Sequence, residues 1–184
     1  VIDERSARAR GVLAGLFVCW LGQLAVAPAA ESGRLAEGPQ WAEERWVSVA
    51  GRGARTLNGG RLDPARLEGR VVLVDFWATW CAPCLAKLPH LQEAWARWGG
   101  RELEIVAVSV DHASRRDLVS FAARQGVTWT VAHDGRGFGG DWPRRWGVEA
   151  VPRSFLFDRQ GRLVAVDLSG EALLAVLPDL VQSQ

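Results

Sequence analysis

The stretch Val71-Val72-Leu73-Val74-Asp75-Phe76-Trp77-Ala78-Thr79-Trp80-Cys81-Ala82-Pro83-Cys84 governs how the rest of the chain is read. An apolar, β-branched run of strand length leads straight into Cys-x-x-Cys. Beyond it, Leu85, Leu88, Leu91, Trp95 and Trp98 recur at spacings of three and four until Gly99-Gly100, so the cysteines fall where a strand hands over to a helix. A helix N-terminus offers unpaired N–H groups and the positive end of the dipole, which can bring a thiol pKa from about 8.5 into the range of about 3.5–7.5. Cys81 is therefore the candidate nucleophile. Cys84, one turn on and expected to be less exposed, is placed to attack a mixed disulfide on Cys81 and release the partner.

Two other roles for the pair stay open at this stage. A closed zinc site needs four ligands, and only Cys19 and three histidines remain to complete one. A structural disulfide is geometrically possible, although so short a loop adds little chain-entropy stabilisation. Asp75 lies on the strand ahead of the cysteines. A carboxyl buried there would have a raised pKa and could accept a proton from Cys84; the alternative is a partly solvated acid at the strand end.

The segment Asp75-Phe76-Trp77-Ala78-x-Trp80-Cys81-x-Pro83-Cys84 resembles the active-site signature of the thioredoxin superfamily almost residue for residue. Within it, Trp77-Ala78-Thr79-Trp80-Cys81-x-Pro83-Cys84 is most similar to the thiol:disulfide proteins of the TlpA and ResA type. The resemblance implies an α/β, thioredoxin-like fold across residues 45–184: a central mixed, mainly parallel sheet with helices on both faces and a TlpA-type extra helix and strand. It is reinforced by Gly147-Val148-Glu149-Ala150-Val151-Pro152-Arg153-Ser154-Phe155-Leu156-Phe157-Asp158, which resembles the family segment whose proline is cis and lies against the cysteines. A cis Val151–Pro152 bond is expected, freeing the backbone of Val151 to pair with an extended substrate.

Two positions depart from the family pattern. Lys87 stands where TlpA-like sequences often carry glutamate, and Arg153 where threonine is common. A cation near the cysteines favours thiolate. The plainer expectation for Lys87 is projection into water, and for Arg153 an exposed strand-start arginine.

Charge and composition narrow the function. The 184 residues carry 22 Lys and Arg against 21 Asp and Glu, enough length for one domain with a full core and no basic excess. No nucleic-acid partner is supported, and Gly135-Arg136-Gly137-Phe138-Gly139-Gly140 lacks the strand-to-helix setting of a phosphate loop and reads as a mobile connection. No cofactor is called for. The basic start Arg5-Ser6-Ala7-Arg8-Ala9-Arg10 and the apolar run from Gly11 read as an export signal ending near Ala27-Pro28-Ala29, or as a retained membrane anchor. Residues 1–30 are assigned to that leader and 31–44 to a linker. An exported location places the dithiol in an oxidising compartment, where it would rest oxidised unless a donor reduces it.

Function follows from the family. The resemblance implies a monomeric oxidoreductase that reduces disulfides of exported proteins, as in cytochrome c maturation or copper-site assembly, and is itself reduced by a membrane electron donor of the DsbD/CcdA type. A disulfide-forming oxidant and a chaperone or binding module remain the rival readings.

Around this centre, Arg45 to Val49 reads as a first strand, and Asp63-Pro64 as a capped helical turn. Leu103 to Val110 reads as a strand covered on both faces. Ser114 caps a helix with Leu118, Val119, Phe121 and Ala122 inward, Val127 to Ala132 forms a strand, and Asp141 to Trp146 a short helix. Arg159-Gln160-Gly161 turns a hairpin, and Glu171 to Val181 forms the last helix.

Overall fold

All seven residues of the apolar run form one buried strand, β1 (Val71–Trp77). The computed structural model describes residues 44–51 and 53–182, so the leader and nearly all of the linker lie outside the described residues. The other strands are β2 (Leu103–Ser109), β3 (Thr130–Ala132), β4 (Arg153–Phe157) and β5 (Leu163–Val166). They form a five-stranded sheet in the order β3-β2-β1-β4-β5, with β1 in the centre. The sheet is mixed, as expected, but not mainly parallel: β1/β2 and β2/β3 run parallel, while β1/β4 and β4/β5 run antiparallel. The short Arg159–Gly161 turn explains the second antiparallel pair, because a tight turn can only reverse the chain.

The helices are α1 (Trp46–Ala50), α2 (Ala82–Trp98), α3 (Arg115–Arg124), α4 (Asp141–Trp146) and α5 (Gly170–Gln182). Alternation along β1 sends Asp75 and Trp77 to one face and Phe76 to the other. Trp77 meets Phe121 of α3, ring centroids 5.9 Å apart. Phe76 meets Trp146 of α4 at 5.8 Å, and Trp146 also packs on Phe155 and Phe157. Helix α5 packs beside α2. The sheet therefore carries helices on both faces, and among the described residues no helix is long and apolar enough to cross a membrane.

Three local expectations are corrected. Residues 46–50 are helical and not a strand. Trp46, Val49 and Ala50 are the buried ones, an i, i+3, i+4 face that five residues cannot distinguish from alternation. In α3, Leu118 and Ala122 are buried, whereas Val119 is 44% exposed, one residue off the inward stripe. Strand β3 begins at Thr130, three residues later than expected.

Other signals act as read. Asp63 accepts a hydrogen bond from the Ala65 N–H ahead of a 3-10 turn with Pro64 at its start. Ser114 Oγ accepts from the Asp117 N–H at 3.2 Å and donates to its carboxylate at 2.7 Å. Gly147 ends α4 in the left-handed conformation, φ 65°, which glycine adopts without strain. The glycine-rich stretch holds a short 3-10 turn at Gly137–Gly139.

Candidate active site

β1 delivers the chain to a turn, and the turn to α2. Cys81 is the N-cap of α2, with Pro83 at the second helical position. Its Sγ accepts a hydrogen bond from the Cys84 N–H at 3.3 Å. This is the contact that would stabilise charge on Cys81 once the pair is reduced. Cys81 and Cys84 are joined as a disulfide with an S–S distance of 2.07 Å. In this oxidised form both cysteines are equally buried, each 4% exposed, so the expected difference in access is absent. Trp80, immediately before them, is 62% exposed, and Trp77 is buried under α2 and α3.

The Val151–Pro152 peptide bond is cis. Pro152 and Pro83 line one groove of about 340 Å³, together with Ala86, Lys87, His90, Ser154, Leu168 and the start of α5. The structure thus brings the two prolines of the sequence signature to a common surface beside the disulfide. Val151 is half-buried, two residues ahead of β4.

Asp75 is buried and lies in register with Ala107 on β2 and Ser154 on β4. It shares a small cavity of about 10 Å³ with Cys84, Trp77, Trp129, Leu88 and Leu91. Burial pushes its carboxyl above the ordinary range; the charge and hydrogen bond of Lys87 pull it back, and the charge of Asp167 adds to the rise.

Lys87 does not project into water. Its side chain is 11% exposed, with Nζ 3.3 Å from Asp75 Oδ1 and 3.1 Å from Ser154 Oγ. The third residue after Cys84 points along α2 onto the sheet, one turn below the cysteines, where a carboxylate waits for it. Arg153 is half-committed: its guanidinium pairs with Asp167 at 2.6 Å, over the Phe155 ring. Asp167, at a positive φ of 54°, also accepts from the Ser154 N–H at 2.8 Å.

Several site residues were not anticipated from sequence. Asp111, two residues past β2 and 2% exposed, accepts from the Thr79 N–H at 3.1 and 3.2 Å, from Thr79 Oγ1 at 2.7 Å and from Ser109 Oγ at 2.8 Å. It pins the turn that presents Cys81. Ser154 and Asp167 were missed likewise. A small polar residue inside an apolar strand and an acid just beyond a strand end are the signals that could have found them.

The redoxin family profile matches residues 50–173, which span β1, the cysteines and the cis-proline segment. The chain belongs to the redoxin family. Among relatives of this redoxin is the thiol-disulfide oxidoreductase ResA of Bacillus thuringiensis subsp. konkukian, 29% identical over 115 residues, covering 62% of this chain and 64% of the relative. The ResA of Bacillus subtilis is 31% identical over 109 residues, 59% of each chain. The redoxin chain thus spans somewhat under two thirds of the length of these relatives. Among solved structures it is similar to a thiol:disulfide interchange protein DsbE of Chlorobium tepidum, with 31% identity, TM-score 0.58, and coverage of 66% of this chain and 87% of the other. A C-terminal domain of a Bacteroides thetaiotaomicron thiol-disulfide oxidoreductase shares the fold at 17% identity, TM-score 0.64, covering 70% and 90%. The redoxin is therefore a ResA-like member of the thioredoxin superfamily.

Proposed function

We propose that this chain is a thiol:disulfide oxidoreductase that exchanges two electrons through Cys81 and Cys84 and reduces disulfides in exported proteins. The observation that carries this reading is the Cys81–Cys84 disulfide at the start of α2, with the Cys84 N–H on Cys81 Sγ and the Pro83–Pro152 groove alongside.

The reduced form acts in two displacements. The Cys81 thiolate attacks the substrate disulfide; a Cys81–substrate S–S bond forms, the substrate S–S bond breaks, and one substrate thiolate leaves. Asp75 takes the proton of Cys84 across the cavity that they share. The Cys84 thiolate then attacks Cys81 Sγ, forming the intramolecular disulfide and expelling the second substrate thiolate. The substrate gains two electrons and the dithiol loses two. Pro83 and Pro152 frame the groove for the substrate chain, with Val151 offering backbone for pairing, and Trp80, next in sequence to Cys81, supplies exposed apolar surface.

The cycle restarts only when a donor returns two electrons, and a membrane donor of the DsbD/CcdA type fits an exported oxidoreductase. On this reading residues 1–30 are the signal or anchor, 31–44 the linker and 45–184 the thioredoxin-like domain, working as a monomer outside the cytoplasm. Apocytochromes and copper-site proteins are the substrates that the ResA likeness suggests.

The test is the reduction potential of the pair, measured in defined thiol buffers. A value near or below about −230 mV is expected; a value near about −120 mV would overturn the reductant and make the protein an oxidant of newly exported chains. Retained function in a Cys81→Ser variant would instead favour a chaperone or binding module.

A further inference from the structure

A cavity of about 80 Å³ lies between the segment Gly53–Arg61, the end of β3 and the start of α4. It shares no lining residue with the groove beside the disulfide or with the cavity beneath Cys84. Arg55 and Arg61 both line it. They are antiparallel bridge partners, a placement that sends their side chains to the same side, where like charges repel. No carboxylate relieves that repulsion: the Arg61 guanidinium donates to the Gly53 carbonyl at 2.9 Å, and among the described residues the Arg55 side chain has no partner. The two acids of the lining are already engaged, since Arg136 holds Asp134 at 3.1 Å and Asp141 at 2.8 Å. Three guanidiniums thus border the cavity against two carboxylates, and the excess sits with Arg55 and Arg61.

A second observation falls in the same cavity. His133, whose backbone N–H donates to the Arg55 carbonyl at 2.9 Å, lines it as well. The ring Nε2 lies 3.0 Å from the Ala113 carbonyl oxygen, which can only accept, so Nε2 carries the proton and Nδ1 is left as an acceptor. That Nδ1 is buried and, among the described residues, has no partner. A buried acceptor without a donor is costly. Trp142 and Pro143, both buried, wall the cavity from α4. Its volume is far below the roughly 300–1,000 Å³ of sites for drug-sized ligands and suits one small polyatomic ion.

We propose that this cavity binds inorganic phosphate as hydrogenphosphate: Arg55 and Arg61 donate to its oxygens, and its O–H donates to Nδ1 of His133. Guanidinium forks match the edges of a tetrahedral oxyanion, and a bound dianion turns the repulsion between the two arginines into a clamp. Sulfate has the same shape and charge but no O–H, so it leaves Nδ1 unpaired. Binding is non-covalent and needs neither cysteine.

The test is calorimetric titration of the whole, oxidised chain with sodium phosphate and, separately, sodium sulfate, near about pH 7.5. Sodium chloride holds the ionic strength at about 0.15 M throughout. Phosphate is expected to bind at one site with Kd about 1 mM, and sulfate at least about tenfold more weakly. Arg55→Ser, at an exposed position, should weaken phosphate about tenfold, whereas Arg116→Ser, which removes an exposed charge from α3, should leave it within about twofold. His133→Phe should erase the preference for phosphate over sulfate. No saturable phosphate binding overturns the proposal, as does equal weakening by Arg55→Ser and Arg116→Ser, which would make the effect one of net charge. Sulfate binding as tightly as phosphate in the wild type overturns the role of the O–H and with it the assignment to phosphate. Should His133→Phe fail to fold, the wild-type comparison of the two anions and the Arg55→Ser titration decide the matter by the same outcomes.

Discussion

Two carboxylates are buried near the disulfide, and they are satisfied in opposite ways. Asp111 is surrounded by neutral donors, two from Thr79 and one from Ser109, which engage both of its oxygens. Asp75 has one cation at 3.3 Å and borders a cavity that it shares with Cys84. The first arrangement fixes a loop; the second leaves a carboxyl able to change its charge. Burial alone does not make a residue reactive: what matters is how completely its hydrogen-bonding capacity is already used.

The largest effect expected from this contrast is on folding. Asp111→Ala strands the Thr79 N–H and hydroxyl in the interior and is expected to cost about 3 kcal/mol in urea unfolding. A loss under about 1 kcal/mol would mean that the turn does not depend on its pin. Next is Asp75→Asn, expected to slow the Cys84 step about a hundredfold at pH 7, read as the second of the two coloured thiolates that the reduced protein releases from dithiobis(nitrobenzoate). Its effect on stability runs the other way. The folded Asp75 carboxyl lies above its unfolded value of about 3.9, so the folded state holds the proton more tightly. Its contribution to stability is therefore greatest below that pH and is lost as pH rises through the folded value. Asn has no such dependence. Asp75→Asn should melt higher than wild type at pH 8, with the gap closing toward pH 4 in thermal unfolding; a gap that widens in acid would reverse the assignment.

Smaller changes sharpen the same contrast. Thr79→Val removes one donor from Asp111 while the turn's N–H remains, so about 1.5 kcal/mol is expected by urea unfolding, roughly half the Asp111→Ala loss. Arg153→Ala breaks a half-exposed pair with Asp167 and should cost at most about 1 kcal/mol by the same measurement. If it cost more than Thr79→Val, the network around Asp167 would be a second pin and not a surface pair.

The contrast also marks what the sequence could reveal. Cys81, Cys84, the Asp63 and Ser114 caps, the cis Pro152 and the central strand are each announced within a few neighbouring residues, because their chemistry is local. Lys87 and Ser154 are 67 residues apart, and Thr79 and Asp111 are 32 apart. Nothing near Lys87 says that β4 will bring a hydroxyl and β1 a carboxylate to its tip, so water was the natural expectation. The short stretch at Trp46 failed for a different reason: five residues fit a helix and a strand equally well until the core selects a face. The antiparallel half of the sheet likewise follows from a turn and its partner strands, not from the strands' own composition.

Trp80 stands 62% exposed, next in sequence to Cys81, whereas Trp46, Trp77, Trp129, Trp142 and Trp146 are buried. Disulfides quench indole emission, so opening and closing the Cys81–Cys84 bond should brighten and dim an indole at the rim. A partner that covers Trp80 should shift its colour to the blue. The chain therefore carries its own lamp at the reactive end, in which brightness reports the redox state and hue reports docking, with no label attached.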